Sequence, residues 1–428
     1  MYNILDYGAK GDGVTLDTAA IQAALDACSA NGGGTVVLPG GKVYKTGSLI
    51  LHSDTELHFE SNAVLKASDD LKDYKKFAEI SNVGQDVPSY INCEYNGKPA
   101  NFFIYAAGGK NIRITGFGTI DGTEEIYYGD TTQYHIEGAW YPRTPLLFIE
   151  NIEHFTVKDV TLTGSGFWTL HMVGCRDVLV QGIRILNNLK MANCDGIDPD
   201  HCQNVRIADC YMETADDCIV LKTSAAYMHY GPTKNVIITG CTLKSTSAAL
   251  KFGTESEADF QNVIIDNCNI YDSNRAVSLQ LRDQGNIENV QISNLNIETR
   301  RFDESYWGTG EAICITAEPR HIGSSTGVIR NVHIRNVNTN GENGVFIYGN
   351  AEHPIENVTL ENIHVNLRKT SKWPVTGYDL RPCDEPMFLD TKLYGVYQEN
   401  VRNLKIEKLN VTVDENMKQY FAGDVNRC

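Results

Sequence analysis

NVRIADC, residues 204–210, is one copy of a phrase that recurs along the second half of the chain. Each copy begins with asparagine and carries apolar residues at its second, fourth and seventh positions. The copies begin at Asn204, Asn235, Asn262, Asn289, Asn331, Asn357 and Asn403. Their starts lie 31, 27, 27, 42, 26 and 46 residues apart. Most of these steps match one coil of a stacked solenoid, and the longer ones leave room for inserted loops or a skipped coil.

The alternation inside the phrase indicates the fold class. Apolar residues two positions apart lie on one face of a β-strand, as stacked coils require. Weaker copies at Asn111 and Asp177 extend the pattern toward the N-terminus. With 428 residues the chain exceeds the usual single-core domain, but a stacked architecture can grow to this size. The sequence therefore predicts an all-β protein, a single right-handed parallel β-helix over residues 1–428.

The seventh position of the phrase predicts an interior column. It holds cysteine in three successive copies, Cys210, Cys241 and Cys268, and an aliphatic residue in the later ones. Cysteine is small, apolar and often buried, so it can fill such a column as an aliphatic residue does. No histidine or carboxylate shares the column, so we expect free structural thiols rather than a metal or redox site.

The N-terminal segment has a different pattern. Residues 15–30, TLDTAAIQAALDACSA, carry apolar residues at helical spacing after a Thr/Asp start and end before a run of glycines. An amphipathic capping α-helix is predicted here, closing one end of the coil stack.

The net charge of the chain disfavours two classes of binding partner. The formal net charge is -17, which repels phosphate backbones and anionic lipid surfaces, so neither nucleic acid nor a membrane is an expected partner. The first nine residues lack the basic start and apolar core of a secretory signal, and we expect a cytoplasmic protein. The sequence gives no prediction of the oligomeric state.

Four segments resemble a known family. Residues 3–41 (NILDYGAKGDGVTLDTAAIQAALDACSANGGGTVVLPGG) resemble the opening of pectin-degrading β-helix enzymes. GSGFWTLHMVGC (164–175), NCDGIDPDHC (193–202) and TADDCIVLKT (214–223) resemble consecutive signatures of glycoside hydrolase family 28, the polygalacturonase family. The resemblance implies inverting hydrolysis of an α-linked sugar, generally a galacturonide, without metal or cofactor.

The same motifs imply the catalytic residues. Asp195 matches the aspartate of the family's Asn-Thr-Asp motif, with Cys194 in place of threonine, and Asp216 and Asp217 match its aspartate pair. The resemblance implies that Asp216 is the general acid and that Asp195 and Asp217 activate water. Glycoside hydrolysis does need one protonated and one ionised carboxyl group, and neighbouring aspartates raise each other's proton affinity.

An aspartate pair alone is more often a solvated turn than a catalytic site. The motif around Asp195, about one coil earlier, favours catalysis. Strand alternation would send Asp216 and Asp217 to opposite faces, so both can serve one site only if the chain bends there.

The sequence departs from the family pattern at two places. Ser247-Ala248-Ala249 stands where the family carries Gly-His-Gly, and Ser278-Leu279-Gln280 where it carries Arg-x-Lys. The second change removes two cations that the resemblance assigns to a galacturonate carboxylate.

Lys251 is the main candidate for a relocated cation. It shares its offset within the coil with Val220 and Ser278, and its neighbours Leu250 and Phe252 are expected to point inward. Its ammonium should lie outside the coil beside Asp216, where it would bind a substrate carboxylate or tune an aspartate. The alternative is a solvated surface cation.

The family resemblance and the residue types suggest further candidate substrate-binding residues: Asn193, His201, Lys222, Glu255, Trp168, His171 and Arg282. Further candidates for stacking on a sugar ring are Trp140, Tyr141, Tyr306 and Trp307.

Three function classes follow. The leading hypothesis is an exo-acting inverting glycosidase that releases galacturonate or a related α-linked sugar from a pectic oligosaccharide, the expected partner. Segments 67–100, 122–144 and 300–311 are predicted loops that would close one end of its cleft. The alternatives are a polysaccharide lyase that recruits Lys222 or Lys251 as base, often with calcium, and a non-catalytic glycan-binding β-helix.

Overall fold

The computed structural model describes residues 1–76, 101–130, 143–304 and 306–426. It contains two compact units, Met1–Glu213 and Thr214–Cys428, and each is described by itself below. The prediction of one domain over residues 1–428 stays a prediction. Both units consist of short strands that pair in parallel with strands of the next coil, which confirms the predicted parallel β-helix. No helix among the described residues is long and apolar enough to cross a membrane.

The strands of the first unit are β1 Tyr2–Asn3, β2 Asp12–Leu16, β3 Gly34–Leu38, β4 Val43–Thr46, β5 Leu49–Ile50, β6 Thr55–Phe59, β7 Val64–Ala67, β8 Ile104–Gly116, β9 Thr119–Asp121, β10 Leu147–Lys158, β11 Thr161–Thr163, β12 Leu170–Val173, β13 Arg176–Gln181, β14 Arg184–Leu186, β15 Ile197–Asp200, β16 Gln203–Ala208 and β17 Tyr211–Thr214, whose last residue opens the second unit. Short 3-10 helices cover Ile4–Tyr7, Leu71–Asp73 and Glu124–Tyr127.

The strands of the second unit are β18 Ile219–Thr223, β19 Thr233–Thr239, β20 Thr242–Ser245, β21 Ala248–Ser256, β22 Phe260–Asp266, β23 Asn269–Ser273, β24 Arg275–Leu281, β25 Ile287–Thr299, β26 Glu311–Ala317, β27 Ile329–Gly341, β28 Asn343–Gly349, β29 Ile355–Leu367, β30 Tyr378–Asp379, β31 Phe388–Leu389, β32 Leu393–Glu399, β33 Val401–Val413 and β34 Phe421–Val425. Its 3-10 helices are Ala225–Tyr230 and Glu415–Met417.

The predicted capping helix is present as α1, Thr18–Ala30. It begins three residues later than predicted, because Thr15 and Leu16 belong to β2. The carboxylate of Asp17 accepts hydrogen bonds from the backbone N–H groups of Lys10 (2.7 Å) and Gly11 (3.0 Å), which fixes the turn before the helix. The helix packs on β1, β3 and β5, and its buried residues recur at helical spacing, at Ile21, Ala24, Leu25 and Cys28.

Strand register in the second unit follows the repeat. The second residues of successive copies lie opposite one another in the pairs Val236↔Val263, Val263↔Val290, Val290↔Val332, Val332↔Val358 and Val358↔Leu404. The steps of 42 and 46 residues therefore contain inserted loops, and no coil is skipped within them.

The asparagine that opens each copy has a physical role that its recurrence alone does not explain. These residues adopt the left-handed backbone conformation, which asparagine tolerates better than most residues do. Their side chains form a ladder in which Asn262 donates to Asn235 (3.1 Å) and Asn289 donates to Asn262 (3.2 Å). Asn331, Asn357 and Asn403 continue it. The ladder pairs amide groups at a bend where the backbone cannot continue as a strand.

Inserted loops differ partly from expectation. Residues 300–310 join β25 to β26, as predicted, whereas the predicted loops 67–100 and 122–144 lie largely outside the described residues. An insertion that was not predicted, residues 368–392, separates β29 from β32 and contains the antiparallel pair β30 and β31. The repeat steps allowed for such an insertion without locating it.

All cysteines among the described residues are buried and free of disulfides. Cys210, Cys241 and Cys268 are each at most 2% exposed. A contact with the Cys241 thiol, together with burial, raises the pKa of Cys268 well above its usual range. The predicted interior thiols of the repeat are therefore present.

We expect Cys210, Cys241 and Cys268 to resist alkylation in the native protein, because burial excludes the reagent. All three should react once the chain is unfolded in guanidinium chloride. Mass spectrometry of digests labelled before and after unfolding measures this. Fast native labelling at all three positions would contradict the buried column.

Candidate active site

The chain bends between β17 and β18, where the aspartate pair lies. Side-chain hydroxyls bind the carbonyl oxygens of this bend: Thr214 Oγ1 (2.5 Å) and Ser245 Oγ (2.7 Å) donate to Asp216, and Thr246 Oγ1 donates to Ala215 (2.5 Å). These donors satisfy backbone oxygens at a point where strand pairing is interrupted. The bend that the sequence required is thus built by hydroxyl residues of its own coil and the next one.

Asp217 is buried, and its carboxylate accepts three hydrogen bonds from the following coil. Its Oδ2 accepts a hydrogen bond from Lys251 Nζ at 2.7 Å, with both side chains at most 8% exposed. Its Oδ1 accepts hydrogen bonds from Ser247 Oγ (3.0 Å) and from the backbone N–H of Ala248 (3.2 Å). One ammonium group and two further hydrogen-bond donors thus hold the Asp217 carboxylate in one orientation.

Asp216 lies in different surroundings. Its side chain is only partly buried, and Oδ1 accepts a hydrogen bond from the backbone N–H of Asp217 at 3.0 Å. Adjacent carboxyl groups in unlike environments can take separate acid and base roles. The bend therefore provides the asymmetry that glycoside hydrolysis needs.

The predicted row through Lys251 is confirmed. Val220 pairs with Lys251, which pairs with Ser278, and Leu250 and Phe252 are buried. Its ammonium binds Asp217, the chain neighbour of the Asp216 beside which it was predicted to lie. The sequence placed Lys251 on the correct coil but could not tell which carboxylate of the bend turns toward it.

Lys222 and Glu255, both predicted to bind substrate, bind each other with Nζ and Oε2 3.1 Å apart. Burial raises the pKa of Glu255, but the charges of Lys222 and Arg320 outweigh it and lower that pKa to about 2. Arg320 also binds Asp283 through Nε (3.0 Å) and Nη2 (2.9 Å). The repeat gave no signal for Arg320, because it lies in an insertion between β26 and β27.

Arg282 was predicted to bind substrate, and the structure corrects this. The residue is fully buried, and its guanidinium donates to the carbonyl oxygens of Leu281, Thr316, Leu380 and Pro382 and to the Thr316 hydroxyl. These bonds use its five N–H groups. Arg282 holds the 368–392 insertion against the coils, a role that strand alternation could not reveal.

In the first unit, Asp195 is buried on a segment fixed by neighbouring backbone groups. The backbone N–H of Thr169 donates to the Asp195 carbonyl at 2.9 Å, and Asn187 Nδ2 donates to the Cys194 carbonyl at 3.0 Å. The Asn187 amide also donates to Thr169 Oγ1 at 2.7 Å. Asn187 thus links the coil that carries Asp195 to the preceding one.

Asn193 is anchored by an arginine that sequence reasoning missed. Arg143 Nη2 donates to Asn193 Oδ1 at 2.7 Å, and Nη1 donates to the Ala192 carbonyl. The guanidinium lies 4.9 Å from the ring centroid of Phe167. The Asn193 side chain therefore positions its own segment, which leads directly into Asp195.

Two members of the predicted aromatic wall are interior. Trp168 is 3% exposed and meets the ring of His171 edge-on at 4.8 Å, while His171 Nε2 lies 3.3 Å from Asp200. His201 is also buried, 3.8 Å from the same carboxylate. The predicted substrate contacts of Trp168, His171 and His201 stay predictions. Tyr306 and Trp307 are half-buried, and Trp140 and Tyr141 lie outside the described residues.

One buried acid of the first unit, Glu124, was not predicted from the sequence. Glu124 is 6% exposed, and burial raises its pKa to about 7. Its Oε1 accepts a hydrogen bond from Tyr128 at 2.8 Å, and the Tyr128 hydroxyl accepts one from Asn188 at 2.7 Å. Near neutral pH this carboxyl group changes charge inside the protein.

Glu124→Gln should make the protein relatively more stable at high pH. A carboxyl group whose pKa is raised from 4.5 to about 7 on folding lowers stability as pH rises through that window, and glutamine stays neutral. The difference in free energy of unfolding between the variant and wild type should grow by roughly 1–3 kcal/mol between pH 5 and pH 8, because a shift of one pKa unit corresponds to about 1.4 kcal/mol. Denaturant unfolding at both pH values measures it. Glu125→Gln, at an exposed neighbour, should show no such change, and a pH-independent difference for Glu124→Gln would refute the buried acid.

Both units consist of parallel coils, and their aspartates Asp195, Asp216 and Asp217 lie where strands begin or end. These features define a class of β-helix proteins with acidic sites. Within that class, the chain belongs to the glycosyl hydrolases family 28, whose family model matches residues 28–381.

Two curated relatives and one solved structure illustrate this membership. The chain is 32% identical over 269 residues to a probable polygalacturonase of Vitis vinifera, covering 60% of this chain and 52% of the relative. It is 29% identical over 256 residues to an exo-poly-alpha-D-galacturonosidase of Dickeya chrysanthemi, covering 51% and 41%. The chain thus spans about half the length of these relatives. The exopolygalacturonase structure from Thermotoga maritima shares the fold, with a TM-score of 0.70 at 23% identity over 86% of this chain and 87% of that one.

Proposed function

We propose that the protein is an inverting, exo-acting glycoside hydrolase that removes an α-linked sugar from pectic-type oligosaccharides. Asp216 is the general acid, and Asp217 and Asp195 activate the water. The observation that carries the proposal is the contrast between partly exposed Asp216 and the buried, ion-paired Asp217. Family membership and relatives named as polygalacturonases support the reaction class.

The proposed reaction has one chemical step. Asp216 donates its proton to the glycosidic oxygen as the bond to the anomeric carbon breaks. Water attacks that carbon from the opposite face and loses a proton to the carboxylate of Asp217 or Asp195, so the product has inverted configuration. At the end of the turnover the acid is ionised and the base protonated, and a proton exchange with solvent restores both.

We propose that Lys251 orients the Asp217 carboxylate, the proposed base, and balances its negative charge. Its ammonium balances the Asp217 carboxylate, while Ser247 and Ala248 fix the orientation of that carboxylate. The residues that stand in place of the family's Gly-His-Gly thereby contribute donors to the base. This role differs from the substrate contact first expected of Lys251.

The lyase alternative is less well supported. A lysine base must reach a proton of the substrate, yet the Nζ atoms of Lys222 and Lys251 are each bound to a carboxylate of the protein. The exo-acting mode is supported by the insertions between coils and by the name of the Dickeya relative.

Asp216→Asn and Asp195→Asn should each lower kcat by at least about 100-fold, the scale of lost acid–base catalysis. The assay is monosaccharide release from plant oligosaccharides, with circular dichroism to check the fold. Asp209→Asn, at an exposed aspartate of the first unit, is the matched control and should keep full activity. If a folded Asp216 or Asp195 variant retains near-full turnover, that residue is not catalytic.

Lys251→Met should lower kcat about tenfold or more, because the Asp217 carboxylate loses the ammonium group that binds it. Lys251→Arg should recover part of the activity. Lys234→Met, at a partly exposed lysine, serves as control. Unchanged kcat in a folded Lys251→Met variant would remove Lys251 from the mechanism.

A further inference from the structure

The charges around the aspartate pair in the second unit are already compensated. Asp217 and Lys251 form one ion pair, and Lys222 with Glu255 forms another. Arg320, whose charge also acts on Glu255, binds Asp283. Each of these cations therefore has a carboxylate partner.

None of these ion pairs leaves a positive charge over for the substrate. Asp216, which lies next to Asp217 on the bend, is the proposed proton donor and adds no positive charge. Glu257 follows Glu255 by two residues, and burial together with the nearby Asp283 raises its pKa. A sugar carboxylate beside Asp216 and Asp217 would therefore need a cation that these pairs do not supply.

The row where the family carries Arg-x-Lys offers no replacement cation. Ser278 is fully buried and pairs in register with Lys251, while the Gln280 amide donates to the Arg381 carbonyl at 3.1 Å. Arg381 itself binds Asp379 at 2.6 Å, and the donors of Arg282 are used by carbonyl and hydroxyl oxygens. In the described second unit, Arg282 and Arg381 are thus bound to groups of the 368–392 insertion.

We propose that the sugar bound beside Asp216 and Asp217 is neutral, an α-linked pyranose without a carboxylate, rather than galacturonate. This inference rests on the proposed glycosidase function and names its substrate class. Binding a uronate would place an additional charge, stripped of much of its water, beside carboxylates whose cations are already paired, and such a charge is costly without a partner. A neutral sugar needs only hydroxyl contacts, which ionised carboxylates accept readily.

The test uses two trisaccharides of identical linkage, an α-1,4-galacturonate trimer and its carboxyl-reduced galactose counterpart. Wild-type kcat/KM should be at least tenfold higher for the neutral trimer. Binding to the full-length Asp216→Asn variant, measured by isothermal titration calorimetry, should show the same preference without turnover. Equal or tighter binding of the acidic trimer, or binding of neither trimer, overturns the inference.

Glu255→Gln provides a gain-of-function check. The substitution removes the carboxylate that compensates Lys222 and is close enough to feel the charge of Arg320. The ratio of kcat/KM for the acidic trimer to kcat/KM for the neutral trimer should therefore rise by about tenfold or more. Glu298→Gln makes the same charge change at an exposed site of the same unit and should leave the ratio unchanged. An unaltered ratio in Glu255→Gln would contradict the charge argument. Tight binding of the neutral trimer without hydrolysis by wild type would instead refute the proposed glycosidase function and leave the specificity inference standing.

Discussion

The pairing of equivalent positions in successive coils is the constraint on which the second unit depends. Because Val220, Lys251 and Ser278 lie in register, a side chain one coil away from another is a fixed neighbour. Side chains at equivalent interior positions then form apolar columns, and the asparagine ladder pairs amide groups at the bends. The same register brings Lys251 to Asp217, so the local chemistry follows from the stacking that stabilises the fold.

Charge compensation decides what this chemistry can do. A buried aspartate needs bonded partners for its carboxylate, and the Ser247 hydroxyl and Ala248 amide complete the bonding that Lys251 begins. In the family pattern, cations at the Arg-x-Lys positions would face the substrate. Here the neighbouring cations bind carboxylates or carbonyl oxygens of the protein, which links the altered motifs to the proposed change in substrate charge.

The sequence predicted the coils, the capping helix, the interior cysteines and the row of Lys251, because periodicity determines which side chains face inward and which positions stack. It did not predict that Lys251 would choose Asp217, since alternation fails at a bend. It also misjudged Arg282, whose surroundings come from the 368–392 insertion. The packing of insertions and loops leaves no periodic signal, and Arg143 and Arg320 were missed for the same reason.

In the proposed reaction, a proton donor at Asp216 and a base at Asp217 or Asp195 act on opposite faces of one glycosidic bond. The anomeric configuration of the first-formed sugar tests this most directly, read by proton NMR before mutarotation. Direct displacement by water on an α-linked substrate predicts the β-anomer as the first product. Initial release of the α-anomer would require a covalent intermediate and would contradict the account.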